Sequence, residues 1–422
     1  MPKLSVIIPV RNEKPSLRRC IDSILSQSFK DLEIICIDDG SDDGSSDILQ
    51  DYANRDPRVH VTIFQRHLGT VIARKMALLD AQGEYVMFAD ADDWLLPGAC
   101  ETAVGLIKES QADIVQFSVD FEAEQKDAAS LDMFTRIFRS REMESHGTNI
   151  LYDCFVYHRF MHTLWNKIYR AEICKEAIRA MPDIQLHHYT DLYLSFFLLY
   201  FADSFRSMIT KPCYRYHYGG GVSTKTPDGE QFKELCEVNR VLPLMEKFLR
   251  DHNAYETNVS ILDAIRNMLR QDIVNKLLTI PNLTREIIST AIEYWGGDVI
   301  FDFLSEIGMF RYPIENRMSL VSGLIEQYEA NRKEIARLQS ELDIALSQIQ
   351  KHSPSKKQIL GNVAHDTSQP SCPSSPKLPS TLQKEIISTP QRVQFRFVQK
   401  LPEERSSGIH AGSAESLMVS GC

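Results

Sequence analysis

A chain of 422 residues, 43% of them apolar, has room for one large domain or two ordinary ones and cannot be disordered throughout. Its formal net charge of -10 excludes a nucleic-acid binder of the usual basic kind. The charge is uneven: residues 351–422 carry 9 Lys/Arg against 5 Asp/Glu, a net of +4, so the first 350 residues carry -14.

Residues 1–118 alternate strand and helix signals. The β-branched run Leu4-Ser5-Val6-Ile7-Ile8 ends at Pro9. Pro15 to Ser28 spaces Leu17, Ile21, Ile24 and Leu25 as a helix does. Leu32 to Ile37 reads as a second strand, Ser45 to Tyr52 as a short helix and Val59 to Phe64 as a third strand. Gly69 to Ala81 is helical again; Tyr85 to Ala89 is a fourth strand, followed by a helix begun by Pro97 and a strand over Asp113 to Val119. Strands separated by helices imply crossovers and a mainly parallel sheet. Continuously apolar strands agree, because both faces of such a sheet are covered.

Residues 120–160 read as irregular or insert-like. Order returns over 161–218, with Trp165-Asn166-Lys167-Ile168-Tyr169, a helix after Asp191 and a strand-like Cys213 to Tyr218. Residues 230–310 look all-helical, as in Glu230 to Leu249 and in Val259 to Leu278, which stops before Pro281. Over 321–349 a heptad places Val321, Tyr328, Ile335, Leu342 and Ile349 at a, and Leu324, Asn331, Leu338 and Ala345 at d. A coiled coil, open to self-association, and a lone amphipathic helix both fit that pattern. From His352 Ser and Pro dominate, and a disordered tail without a catalytic role is expected.

The nine cysteines show no C-x-x-C spacing, which argues against a zinc or thioredoxin-type site and suits free thiols in a reducing cytosol, mostly as small core residues. No signal peptide is visible, and the longest apolar stretch, Leu192 to Ala202, is too short to span a bilayer. A soluble, cytoplasmic protein is expected, with surface contact at the inner face of the plasma membrane left open.

Two acidic runs carry the chemistry. Asp38-Asp39-Gly40-Ser41-Asp42-Asp43-Gly44 follows the second strand, and ligands bind beyond the carboxyl ends of parallel strands. A carboxylate there can accept from a base or ribose; a capped turn reads equally well, and an EF-hand fails because Gln50 stands where a bidentate Glu is needed. Asp90-Ala91-Asp92-Asp93-Trp94 follows the fourth strand. Three acids in four residues repel one another unless a cation sits among them, and hard divalent ions bridge carboxylates and phosphates. The alternative is a polar strand-end loop. Gly69 before a helix that carries Arg74 permits close approach by a phosphate or sugar. Asp191 in Tyr189-Thr190-Asp191 is an N-cap or a general base. His217, in Tyr214 to Tyr218, is a metal or phosphate contact or part of a plain strand before a glycine turn.

The ordered run of motifs resembles the family 2 glycosyltransferases, which have the GT-A fold. It comprises Leu4 to Pro9 with Asn12-Glu13, Ser23 to Phe29, Glu33 to Ser41, Asp56 to Val59, Gly69, Ala73-Arg74, Gly83 to Tyr85 and Asp90 to Trp94 with Pro97. It extends with less force to Trp165 to Tyr169, Asp191 and Arg215 to Ser223. The resemblance implies a GT-A catalytic domain over 1–225; the residue patterns beyond it give a helical extension over 226–319, a coiled-coil or amphipathic helix over 320–350 and a tail over 351–422. It implies an inverting transfer from a nucleotide-sugar, UDP-linked before GDP- or dTDP-linked, to a glycan or lipid-linked acceptor, with Mn2+ or Mg2+ holding the diphosphate. By motif, Pro9, Asn12 and Glu13 line the nucleotide pocket, and Gly69 and Trp165 are further substrate-binding positions. Asp39 binds the base, Arg74 the nucleotide side and Asp90 the ribose or metal. Asp92 and His217 hold the metal, and Asp191 is the catalytic base. The family's aromatic before Asn-Glu is Arg11 here, its Asn before Leu-Gly is His67, its Asn after Ala-Arg is Lys75, and its Glu-Asp pair is Thr190-Asp191. Two other readings stand beside it: a nucleotidyltransferase, for which Pro9 to Pro15 lacks a Gly-rich activating loop, and a degenerate domain serving as a scaffold, which Thr190 favours.

Overall fold

The computed structural model describes residues 2–123, 132, 135–218, 227–280, 283–309, 395–398 and 418–421. The first part alternates as the sequence requires: β1 (Leu4–Val10), α1 (Leu17–Leu25), β2 (Leu32–Asp38), α2 (Ser45–Arg55), β3 (Val59–Ile63), α3 (Thr70–Asp80), β4 (Tyr85–Phe88) and β5 (Trp94–Leu95). There follow α4 (Ala99–Ser110), β6 (Ile114–Gln116), β7 (Val119–Ala123), β8 (Met143–His146), α5 (Asn149–Phe155), β9 (Lys167–Arg170), α6 (Ala171–Ala180), α7 (Thr190–Phe201), β10 (Ser204–Ser207) and β11 (Tyr214–Tyr218).

Eight strands form the central sheet in the order β3-β2-β1-β4-β9-β6-β10-β8. The pairs β1–β2, β2–β3, β1–β4 and β6–β10 are parallel, while β9 runs antiparallel to β4 and β6, and β8 to β10. β1 and β2 sit mid-sheet under helices, and every residue of β2 is buried. Pro9 lacks a ladder donor, but β4 pairs with β1 only up to Ile7, so nothing on that side needs its N–H. Because β2, β1 and β4 are parallel neighbours, the loops after Asp38 and Phe88 emerge at one sheet edge. β5, β11 and β7 make a second, three-stranded sheet.

The stretch expected as a single strand over Asp113 to Val119 divides, with β6 in the central sheet and β7 in the small one. Parts of 120–160 are regular after all, since β8 extends the central sheet and α5 packs against α7. The helical region holds α8 (Gly229–Cys236), a 3-10 turn (Glu237–Arg240), α9 (Val241–Asp251), α10 (Tyr255–Thr279), α11 (Arg285–Trp295) and α12 (Asp298–Met309). The long helix expected over Glu230 to Leu249 is therefore broken at the turn just before Pro243, which has no N–H to give to a preceding carbonyl. Residues 1–282, with 384–422, form one compact unit, and 283–383 another. The expected boundary at 225/226 falls inside the first. Within it α9 lies on α7: the Phe248 ring meets Phe197, Tyr200 and Phe201 at 4.9, 4.7 and 6.0 Å between centroids. In the second unit α11 packs against α12. A two-stranded antiparallel ribbon pairs β12 (Phe395–Val398) with β13 (Met418–Gly421). The 321–349 heptads lie outside the described residues, as does most of the 351–422 tail.

The seven described cysteines are buried and in no disulfide, as core residues should be. No described helix is long and apolar enough to cross a membrane.

Candidate active site

The first acidic run folds onto itself. Asp38 accepts from the N–H and Oγ of Ser41, at 2.9 and 2.6 Å, and from Ser46 Oγ. Asp43 accepts from Ser45 N–H and Oγ, at 2.9 and 2.6 Å, where α2 begins. Gly40 and Gly44 turn the loop with φ of 70° and 91°, values that suit glycine. Asn12, at φ 53°, donates its N–H to Ser41 Oγ and accepts from Asp42 N–H, at 3.0 and 2.9 Å. Glu13 donates its N–H to Ser45 Oγ at 2.9 Å. Arg11 is buried and donates to the carbonyls of Asp39 and Gly40. Burial lowers its pKa, against the pull of Asp39, Asp42, Asp38 and Asp43, so the residue standing where the family has an aromatic is a cation that ties the acidic loop together.

Asp39, 2% exposed, accepts from the N–H groups of Leu68 (2.7 Å) and Gly69 (3.0 Å), and His67 Nδ1 lies 2.8 Å from its Oδ2. His67 Nε2 in turn lies 3.2 Å from His187 Nδ1. Gly69 has φ 98°, and a Cβ there would stand 3.2 Å from the Leu186 carbonyl, so the loop ahead of α7 closes over it.

The second run divides its labour. Asp93 is 1% exposed and both its oxygens are used: Tyr214 Oη donates to one at 2.7 Å and His217 N–H to the other at 2.7 Å. It pins the strand-end loop to β11, and burial with the charges of Asp92 and Asp90 raises its pKa well above the ordinary value. Asp90 and Asp92 remain partly exposed. Burial raises both pKa values, with Asp191 and Asp92 adding to the effect on Asp90, which reaches about 7 despite Arg74. Arg19 stacks on Trp94 at 3.7 Å and donates to the Asp92 carbonyl at 3.2 Å.

Arg74 joins this loop to α7. Its Nη2 donates to Asp90 Oδ1 at 3.1 Å; its Nη1 donates to Asp191 Oδ1 at 2.5 Å and to Thr190 Oγ1 at 3.2 Å. Burial works against the guanidinium charge, but Asp191 and Asp90 outweigh it and hold the pKa above the ordinary value. Asp191 lies in the first turn of α7, where the helix N-terminus favours an anion, and its Oδ2 accepts from Leu164 N–H at 3.2 Å. The turn bearing Leu164 is braced by Lys167, whose buried ammonium donates to the carbonyls of Met161 and Thr163 at 2.9 and 2.6 Å.

The sequence-proposed residues thus fall into distinct places. Asp90, Asp191 and Arg74 meet directly. Pro9, Asn12, Glu13, Asp39 and Gly69 border the neighbouring strand-end loops. His217 stands beside Trp94, with rings 6.0 Å apart. Trp165 is 1% exposed, its ring stacked on Tyr214 and Tyr216 at 5.1 and 5.4 Å, so it is a wall behind the site and offers no ring face to a ligand. Tyr214, Arg19, His187 and the Leu164 N–H are site-building groups that the motifs did not single out. Among the described residues no three His, Cys, Asp or Glu side chains are arranged to hold a metal ion. The donor set nonetheless suits a hard cation: two partly exposed carboxylates whose ionisation is opposed by burial.

The family model described as Glycosyl transferase family 2 matches residues 5–172, the stretch that builds β1 to β9 and the acidic loops. The chain carries a family 2 glycosyltransferase domain. It is similar to the putative glycosyltransferase EpsH of Bacillus subtilis, 30% identical over 51% of this chain and 60% of the relative. It is 34% identical to the uncharacterized glycosyltransferase YibD of Escherichia coli over 44% of this chain and 53% of the relative. It is 41% identical to the GalNAc(5)-diNAcBac-PP-undecaprenol beta-1,3-glucosyltransferase of Campylobacter jejuni over 27% of this chain and 37% of the relative. The chain therefore spans about half the length, or less, of these curated relatives. The mainly parallel α/β sheet with flanking helices is the GT-A architecture expected of such a domain.

Proposed function

We propose that the chain is an inverting glycosyltransferase that moves a sugar from a UDP-sugar to an acceptor hydroxyl in glycan or polysaccharide synthesis. One observation carries the reading: Arg74 bridges Asp90, at the end of β4, to Asp191, at the start of α7, so the proposed donor side and the proposed base share a buried cation. In the reaction the acceptor hydroxyl attacks the anomeric carbon from the face opposite the nucleotide. Asp191 takes its proton, and the nucleoside diphosphate leaves. Arg74 and the Leu164 N–H hold the carboxylate in one orientation, and preorganisation of this kind removes the cost of finding it during the reaction. The Asp38–Gly44 and Gly69 loops border the nucleotide. Asp90, Asp92 and His217 would hold Mn2+ or Mg2+, which supplies positive charge to the departing diphosphate. Thr190, where the family has Glu, accepts from Arg74, so the position still serves the cluster. The undecaprenol-linked acceptor named for the Campylobacter relative supports a lipid-linked acceptor and work at the cytoplasmic membrane surface.

The test is hydrolysis of UDP-sugars with Mn2+ present. Asp92→Ala abolishes turnover, and unchanged turnover would sink the metal assignment. Asp191→Asn retains UDP binding by calorimetry while stopping turnover. A scaffold shows no Mn2+-dependent UDP binding at all.

A further inference from the structure

Asp191 is preceded by a residue in an unusual state. Tyr189 has φ 57° and ψ 31°, the left-handed region, which a side chain with a Cβ enters only when surrounding contacts hold it there. It is fully buried, and its carbonyl accepts the first helical hydrogen bond of α7, from Tyr193 N–H at 3.0 Å. The two residues that follow, Thr190 and Asp191, are those that engage Arg74. The Tyr189 backbone therefore sets the direction in which α7 starts and where the Asp191 carboxylate lies.

The group that holds Tyr189 comes from the helical region. Its phenol donates to Asp272 Oδ2, and Asp272, mid-way along α10, is 2% exposed. A carboxylate this deep in a helical core is costly unless it is satisfied. Removing either partner takes away one polar tie just ahead of α7, while the Arg74 bonds to Thr190 and Asp191 and the apolar contacts of α7 with Phe248 persist. Both groups are buried, at 0% and 2% exposed, so neither is open to a ligand for direct chemistry.

We propose that Asp272 is a positioning residue for the transfer reaction: through the Tyr189 phenol it fixes the left-handed turn that aims Asp191 at the acceptor. This rests on the reading of Asp191 as the base. The helical region would then serve the reaction through the Tyr189–Asp272 hydrogen bond, and transfer would depend on residues that the family match does not reach.

The experiment uses the full chain, hydrolysis of whichever UDP-sugar the wild type turns over with Mn2+, and calorimetric binding of UDP with Mn2+. Tyr189→Phe removes only the hydroxyl; Tyr189→Phe/Asp272→Asn also removes the buried charge, so that a folding defect caused by the buried carboxylate is separated from loss of positioning. Both should lower kcat on the order of 10- to 100-fold, with KM for the donor and Kd for UDP changed by less than about 2-fold. Unchanged kcat in both variants, with Asp191→Asn inactive, overturns the proposal while leaving the base assignment intact. A loss of activity matched by an equal loss of UDP-binding sites also overturns it, because the role is then only structural. Retained turnover in Asp191→Asn removes the base itself, and the positioning role falls with it.

Discussion

Asp90, Asp92 and Asp93 are the same chemical group within four residues, and their surroundings give them different work. Asp93 has spent both oxygens on Tyr214 and the His217 N–H. Asp93→Ala should strand two buried donors, costing about 1–3 kcal/mol each at most, and urea unfolding would read the loss. Asp90 sits at the other extreme, with burial first and neighbouring carboxylates second raising its pKa to about 7. A carboxyl whose folded pKa lies above its unfolded value binds more protons when folded. Its contribution to stability is therefore lost as pH rises from about 4 through 7. A bound divalent ion reverses that penalty and releases the proton. Mn2+ should then raise the melting temperature more at pH 8 than at pH 5.5, and Asp90→Asn should flatten the difference; equal shifts at both pH values would contradict the assignment. The acidic run was legible because its residues are adjacent. Arg74 was legible as a nearby cation, but its partner Asp191 lies 117 positions away, and nothing in either neighbourhood announces that they touch. The His67–His187 and Tyr214–Asp93 contacts were hidden for the same reason, spanning 120 and 121 positions.

At the level of elements, continuous apolar runs and the 3.6-residue period located the early strands and helices to within a few residues. Context overrode them elsewhere. A single apolar strand became β6 and β7 because two sheets compete for it, and a long amphipathic stretch broke before Pro243. α7 has no polar face to read, since α3, α5 and α6 as well as α9 pack against it. That burial makes Phe248, 4% exposed, a sensitive position: Phe248→Ala should cost about 3–5 kcal/mol, measured by denaturant unfolding, through the cavity it leaves against α7. Gly83 fails differently. A Cβ there would lie 2.6 Å from the Ser5 amide nitrogen and 2.8 Å from the Leu4 carbonyl carbon, in the strand that centres the sheet. Gly83→Ala should therefore destabilise by about 1–3 kcal/mol by forcing β1 aside.

For the whole molecule, composition places a break after residue 225, where strand signals give way to helices and the resemblance to a known family stops. Packing does not respect that line. Phe248 and Asp272 lie beyond it and contact α7 before it, so a chain ended at residue 225 should lose the cooperative thermal transition that the full chain shows. A boundary is visible in sequence only when the faces that meet across it are polar, and here they are aromatic. The same dense packing gives the molecule an internal set of clocks. Cys20 lies behind the acidic run, with its thiol donating to the Asp90 carbonyl at 3.4 Å, and Cys236 ends α8. Burial raises the pKa of both, and a thiol must ionise and meet solvent before it can be alkylated. Each alkylation rate therefore times the opening of one neighbourhood in the unmodified protein. If the cleft closes around UDP and Mn2+, peptide mass mapping will show Cys20 slowing more than Cys236.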